Sequence, residues 1–126
     1  MAMRRGPRSQ TGQATVELAL CLPVVVLVLL LVVQVALVAR AQVLVVHAAR
    51  EGARAEVVRA GAAGAAARRA PGLRADRVQV DSAPAGDAVA VTVRYRAPTD
   101  VPLVGALVGD PELRATVVML VERDEP

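Results

Sequence analysis

The sequence predicts an α+β protein: a long N-terminal transmembrane helix extending into a small antiparallel β-sheet domain. Three observations predict it. Leu18 to Ala39 is a run of 22 residues without a charge, and at about 1.5 Å per residue it reaches roughly 33 Å, the thickness of a bilayer's hydrocarbon core. From Arg40 to Ala60 the pattern stays helical and no breaker interrupts it. Beyond Asp76 apolar residues alternate with polar ones, the period of half-buried strands.

The chain has 126 residues and a net charge of +3. Once leader and membrane segment are set aside, about 85 residues remain. That is near the lower size at which one core stabilises itself, so a contribution from the membrane helix or a partner is expected. The basic balance does not predict a nucleic-acid partner. All 15 basic residues are Arg, and Lys, Ile, Asn and Phe are absent, which is the mark of a GC-rich genome. Tyr95 is the sole aromatic, so the stacking platforms of single-strand binding are missing. The single cysteine, Cys21, lies inside the apolar run. It excludes an intramolecular disulfide and reads as a small apolar residue.

Residues 1–12 form a basic leader carrying Arg4, Arg5 and Arg8. A short basic tail before an apolar helix favours a cytoplasmic N-terminus and an extracytoplasmic C-terminal domain in a cell membrane crossed once. Three readings of the apolar run compete. A secretory signal would be cut after Ala39-Arg40-Ala41 and release a product starting at Gln42, but its apolar region is normally 7 to 15 residues long. An uncleaved single-pass anchor displaying a small β-rich interaction domain accounts for length and hydropathy only. The third reading uses the residues just upstream.

Gly12-Gln13-Ala14-Thr15-Val16-Glu17 places a glycine five residues before a carboxylate, after a basic leader and directly before the apolar helix. The arrangement resembles the type IV prepilin signal. Glu17-Leu18-Ala19-Leu20-Cys21-Leu22-Pro23, with Ala48-Ala49-Arg50-Glu51-Gly52-Ala53-Arg54 downstream, resembles the TadE-like proteins of tight-adherence (Flp) pilus systems. Leu18 stands where the major pilins of those systems usually have tyrosine, which favours a minor pilin or pseudopilin. The resemblance implies cleavage by a membrane prepilin peptidase between Gly12 and Gln13, with Glu17 as the fifth residue of the mature chain. It also implies that Glu17 meets the new terminal amine of a neighbouring pilin-like subunit. Physically, a carboxylate at the edge of a membrane helix is costly unless paired, and a glycine lets a protease approach the scissile backbone closely.

Pro23 removes one backbone donor and is expected to kink or locally unwind the helix. Gln34, the one strongly polar residue of the apolar run after Glu17, is a candidate for hydrogen bonding between helices. The transmembrane helix and its extension are assigned to residues 13–60. In the extension, His47, Arg50, Glu51 and Arg54 share a polar stripe, while Leu44, Ala48, Gly52 and Ala55 form a small-residue face suited to close packing.

Residues 61–75 read as an Ala/Gly-rich helix or linker that stops at Pro71-Gly72. Residues 76–126 read as a small antiparallel β domain. Val78 and Val80 start a first strand, Pro84 to Asp87 supply a turn, and Val89, Val91, Val93 and Tyr95 mark a second strand. Ala97 to Pro111 reads as a surface loop or peripheral contact. Leu113 to Val121 forms a third strand, predicted to be central because Val118 and Leu120 make its second face apolar. A helix carrying a sheet that it also covers is a pilin-like architecture, and the family resemblance implies the same.

No nucleophile lies with a base, no Cys/His set has metal spacing, and no glycine-rich phosphate loop occurs. Asp76, Asp81, Asp87, Asp100 and Asp110 fall in or near turns and strand ends. The sequence therefore predicts no enzymatic activity, no cofactor, no metal site and no small-molecule substrate. Its predicted partners are the membrane, a prepilin peptidase and other pilin-like subunits met through the helix.

Overall fold

In the computed structural model, which describes residues 11–122, the apolar run and its polar continuation form one helix, α1 (Thr11–Val58, 48 residues). Most of the basic leader therefore lies outside the described residues, as do the last four residues of the acidic tail. The helix assignment runs unbroken across Pro23, which corrects the expected unwinding there. A proline at this point forfeits one hydrogen bond, to the carbonyl four residues earlier, and the rest of the ladder holds the turn.

Two regimes follow along α1. From Gly12 to Val33 the side chains are exposed, with Leu27 and Leu30 partly covered. From Val45 onward one face is buried: Val45, Ala48, Ala49 and Ala53 have no exposed surface. These small residues allow the helix to lie close against the sheet. His47, Arg50, Glu51 and Arg54 stay in solvent on the opposite face, where Glu51 and Arg54 make a loose 4.0 Å pair worth only tenths of a kcal/mol.

After α1 the chain turns into a short helix, α2 (Ala63–Arg68), whose Ala63 and Ala67 are buried. A 3-10 turn at Ala75–Arg77 leads into β1 (Val78–Ala85), followed by β2 (Ala88–Arg96). A one-turn helix, α3 (Val104–Val108), precedes β3 (Glu112–Leu120). The sheet is antiparallel in the order β1-β2-β3. The middle strand is thus β2, not the third strand. A strand joined by hairpin to one neighbour and by a loop to the other sits between them, and the apolar outer residues of β3, Val118 and Leu120, are simply exposed.

The hairpin turn is tighter than its composition predicts. Ala85 pairs with Ala88, so only Gly86 and Asp87 lie outside the ladder, and Pro84 and Ala85 belong to β1. Gly86 has φ +64°, the left-handed geometry that a two-residue turn with glycine first requires. Pro84 is tolerated because β1 is an edge strand, where a missing donor costs the sheet little.

Register places Val78, Tyr95 and Leu113 in one row, and Val80, Val93 and Ala115 in the next. These rows form the face that joins Val45, Ala48, Ala49 and Ala53 of α1 in one core. The largest fully buried side chains are valines, each worth about 1.5–3 kcal/mol on burial. On the outer face, Thr92 and Thr116 bond through their hydroxyls at 2.9 Å, and Arg94 pairs with Asp81 at 3.1 Å.

Candidate functional site

Gly12, Gln13 and Glu17 lie on the first two turns of α1 and all are exposed. Gln13 and Glu17 stand four residues apart, hence on the same face and about 6 Å apart along the axis. Gly12 and Glu17 are five apart, so they fall on different faces. Among the described residues, a Cβ built on Gly12 meets nothing within 4 Å. Nothing in the helix itself requires glycine at that position. Among the described residues no ion pair involves Glu17, and Leu18, Leu20 and Leu22 beside it are exposed. The domain does not fold back onto this end of the helix.

This exposed stretch is of membrane length. Of the most apolar 18-residue window of α1 almost nothing is buried inside the molecule. A core helix of a soluble protein would bury such a surface. By length and composition α1 is able to cross a bilayer, and among the described residues it is the one helix that is.

The second motif stands some 50 Å further along the helix at about 1.5 Å per residue, and it does a different job. A Cβ added to Gly52 would sit 3.2 Å from Val91 Cγ1, 3.3 Å from the Ala63 carbonyl oxygen and 3.5 Å from Ala67 Cβ. Gly52 is where β2 and α2 both close onto α1. Ala48, Ala49 and Ala53 complete that contact, and the charged residues of the motif remain outside. The first motif therefore faces outward for its whole length, and the second is the seam that fastens the domain to the helix.

A family model described as TadE-like protein matches residues 12–54. The TadE-like segment begins at Gly12 and ends two residues past Gly52, so it takes in both motifs and the whole apolar run. It covers about a third of the chain, and the sheet lies outside it. No curated protein and no solved structure matches the chain. The chain thus combines a TadE-like segment with an exposed helix long and apolar enough to cross a membrane.

Two polar devices escaped the sequence reading. Glu56, near the C-terminal end of α1, accepts the backbone N–H of Gly61 at 2.9 Å through one carboxylate oxygen and that of Ala63 at 2.9 Å through the other. Ser82 Oγ on β1 donates to the same carboxylate at 3.4 Å. One side chain thus caps α2 and ties it to the end of α1, and these backbone bonds hold its carboxyl below the usual range. Glu56 sits in an unremarkable Arg/Ala/Glu stretch, and only the chain reversal brings its partners near.

The other device involves Gln34. Its side chain is 6% exposed, and Nε2 donates to Thr99 Oγ1 at 3.4 Å. Its bond runs to the domain of its own chain. Thr99 belongs to the loop that closes on Asp110. That carboxylate accepts the Thr99 N–H at 3.0 Å and Arg77 Nη1 at 2.9 Å, which together hold it below the usual aspartate range. Of the other aspartates, Asp81 pairs with Arg94 and Asp76 with Arg74. Among the described residues no cluster of His, Cys, Asp or Glu has the makings of a metal site.

Proposed function

We propose that the chain is a minor pilin or pseudopilin that takes part in assembling a tight-adherence (Flp) pilus or a related secretion apparatus. The observation that carries this reading is the TadE-like match over residues 12–54, which starts at the glycine of Gly12-x4-Glu17 and runs along an outward-facing apolar helix. A prepilin peptidase cuts between Gly12 and Gln13. Gln13 then supplies a terminal amine, and Glu17 is left at the end of the first helical turn, where the helix dipole favours negative charge. In a packed assembly the carboxylate of one subunit pairs with the amine of the next, and the desolvated pair sets the register of the helices. The N-terminus stays cytoplasmic and the β domain extracytoplasmic.

The exposure of Glu17 supports this, because among the described residues no partner is at hand and the carboxylate is open to one from another chain. Release by cleavage after Ala41 is disfavoured by the helix, which runs through Ala39-Arg40-Ala41 without a break. The N-terminal residue of the protein isolated from membranes decides among the readings. Gln13 is expected. An intact Met1 or Ala2 would make the chain an uncleaved anchor, and Gln42 in the medium would make it a secreted product.

A further inference from the structure

We propose that the loop between β2 and β3 is a second membrane contact, an interfacial foot on which the domain stands beside α1, with Leu103, Leu107 and Val108 immersed among lipid. The inference rests on reading α1 as membrane-spanning and goes beyond it.

Position is the first ground. Arg40 is the first charge after the apolar run. Gln34 lies six residues earlier, about 9 Å back along the helix into the apolar run. Thr99 reaches α1 at that depth, through the Gln34 amide, and α3 packs against α1. The loop therefore hangs past the end of the sheet and alongside a part of α1 that the bilayer must cover. With 22 apolar residues available and about 20 needed, the end of the run at Ala39 marks the interface, and a loop reaching Gln34 enters the roughly 5–10 Å of upper acyl region that interfacial elements occupy.

Chemistry is the second ground. Val101 and Val104 are buried within the domain. Leu103 is 66% exposed, Leu107 74% and Val108 56%, and no charge occurs from Val101 to Val108. Leu103 has φ +66°, a left-handed conformation rare for a bulky residue, and the loop holds it there with its side chain outward. Outlier backbone of this kind concentrates where structure serves a contact.

The polarity is graded. At the neck, Ala97 N–H donates to the Pro111 carbonyl at 3.0 Å, and Asp110 clamps Thr99 and Arg77. At the tip the exposed surface is aliphatic. An apolar tip below a charged neck matches the change from acyl chains to headgroups. The loop also covers Gln34, whose Oε1 has no partner among the described residues, and so keeps a bare amide out of hydrocarbon. Three aliphatic side chains fall far short of the roughly 800 Å² per partner of a stable protein interface, whereas a lipid surface already adjoins them.

The test uses the full chain in zwitterionic phosphatidylcholine vesicles at low protein density. On a Cys21→Ser parent, an environment-sensitive fluorophore is attached singly through Leu103→Cys, Leu107→Cys or Val108→Cys. Val28→Cys on α1 is the membrane reference. Asp87→Cys, at the opposite end of the sheet, is the aqueous one. The three loop labels should be blue-shifted relative to Asp87 and quenched several-fold more strongly by nitroxides on the upper acyl chain. Loop labels that behave like Asp87, with Val28 still quenched by deep nitroxides, overturn the foot and leave the spanning helix intact. A blue shift that grows only as protein density rises overturns it in favour of a second copy of the chain. An unquenched Val28 refutes the spanning reading, and the foot with it.

Discussion

Gly52 offers the sharpest test of how the domain is fastened to its helix. Replacing glycine by alanine inside a helix normally stabilises it by about 0.5–1 kcal/mol, because the unfolded chain has less freedom to lose. At Gly52 the new methyl meets a Val91 methyl at 3.2 Å, the Ala63 carbonyl at 3.3 Å and Ala67 Cβ at 3.5 Å. Val91 is fully buried on the middle strand and Ala63 is the first residue of α2, so neither neighbour is a free side-chain end that can swing aside. Overpacking of this kind costs about 1–3 kcal/mol. Subtracting the helix gain leaves Gly52→Ala destabilised by about 1 kcal/mol, and the larger Gly52→Val should lose the domain's cooperative transition.

Gly64→Ala is the internal control. It also lies in a helix, but a Cβ there meets nothing within 4 Å, so a gain of a few tenths of a kcal/mol is expected. Denaturant unfolding in detergent micelles, followed by the emission of Tyr95, reads the domain selectively, because Tyr95 is the only aromatic and is buried. If Gly52→Ala stabilises the domain as much as Gly64→Ala does, the seam is not tight and the account of the second motif is wrong.

Glu56→Ala should cost about 1–2 kcal/mol, the usual worth of a lost cap, in the same Tyr95-monitored unfolding. Because the Glu56 carboxyl is held below its ordinary value, its contribution is complete above the unfolded value of about 4.3 and fades as pH falls through the folded one. Glu56→Gln should accordingly flatten the acid side of the stability profile, and a profile unchanged below pH 5 would remove the role. Gly12→Ala should slow maturation in a host with the matching peptidase while leaving insertion and unfolding unchanged, since its Cβ meets open space. Equal maturation, read by N-terminal sequencing, would relocate the cut. Glu17→Gln should insert normally and incorporate poorly into the assembly, and normal pilus formation by this variant, seen by microscopy, would end the pairing account.

The long apolar helix was readable because it depends on local facts: a charge-free run of bilayer length, and a glycine and glutamate at a set spacing before it. The polar stripe His47, Arg50, Glu51, Arg54 and the small face around Gly52 were readable for the same reason, since helical spacing alone decides which residues share a side. The strands from Val89 and Leu113 announced themselves by alternation. Their order did not. Alternation says that a strand has an inner face and leaves open which neighbours it pairs with, and the apolar second face of β3 pointed the wrong way. Pro84 and Ala85 likewise looked like turn residues until the register paired them with Val89 and Ala88.

By itself, then, the sequence determined everything governed by periodicity and by short motifs: a helix long and apolar enough to span a bilayer, a Gly12/Glu17 front edge, a TadE-like segment and an α+β chain. Tertiary structure alone decided what depends on distant residues meeting. Glu56 became a cap because the chain reverses at Gly61. Gln34 became an anchor because Thr99, 65 residues later, closes on it. Val101 to Val108 fell in a stretch read as a surface loop or peripheral contact, yet its short helix packs against α1 while Leu103 and Leu107 stay exposed. Spacing along a chain is a local quantity, whereas depth in a membrane is set by which residue of the helix the loop comes to rest upon.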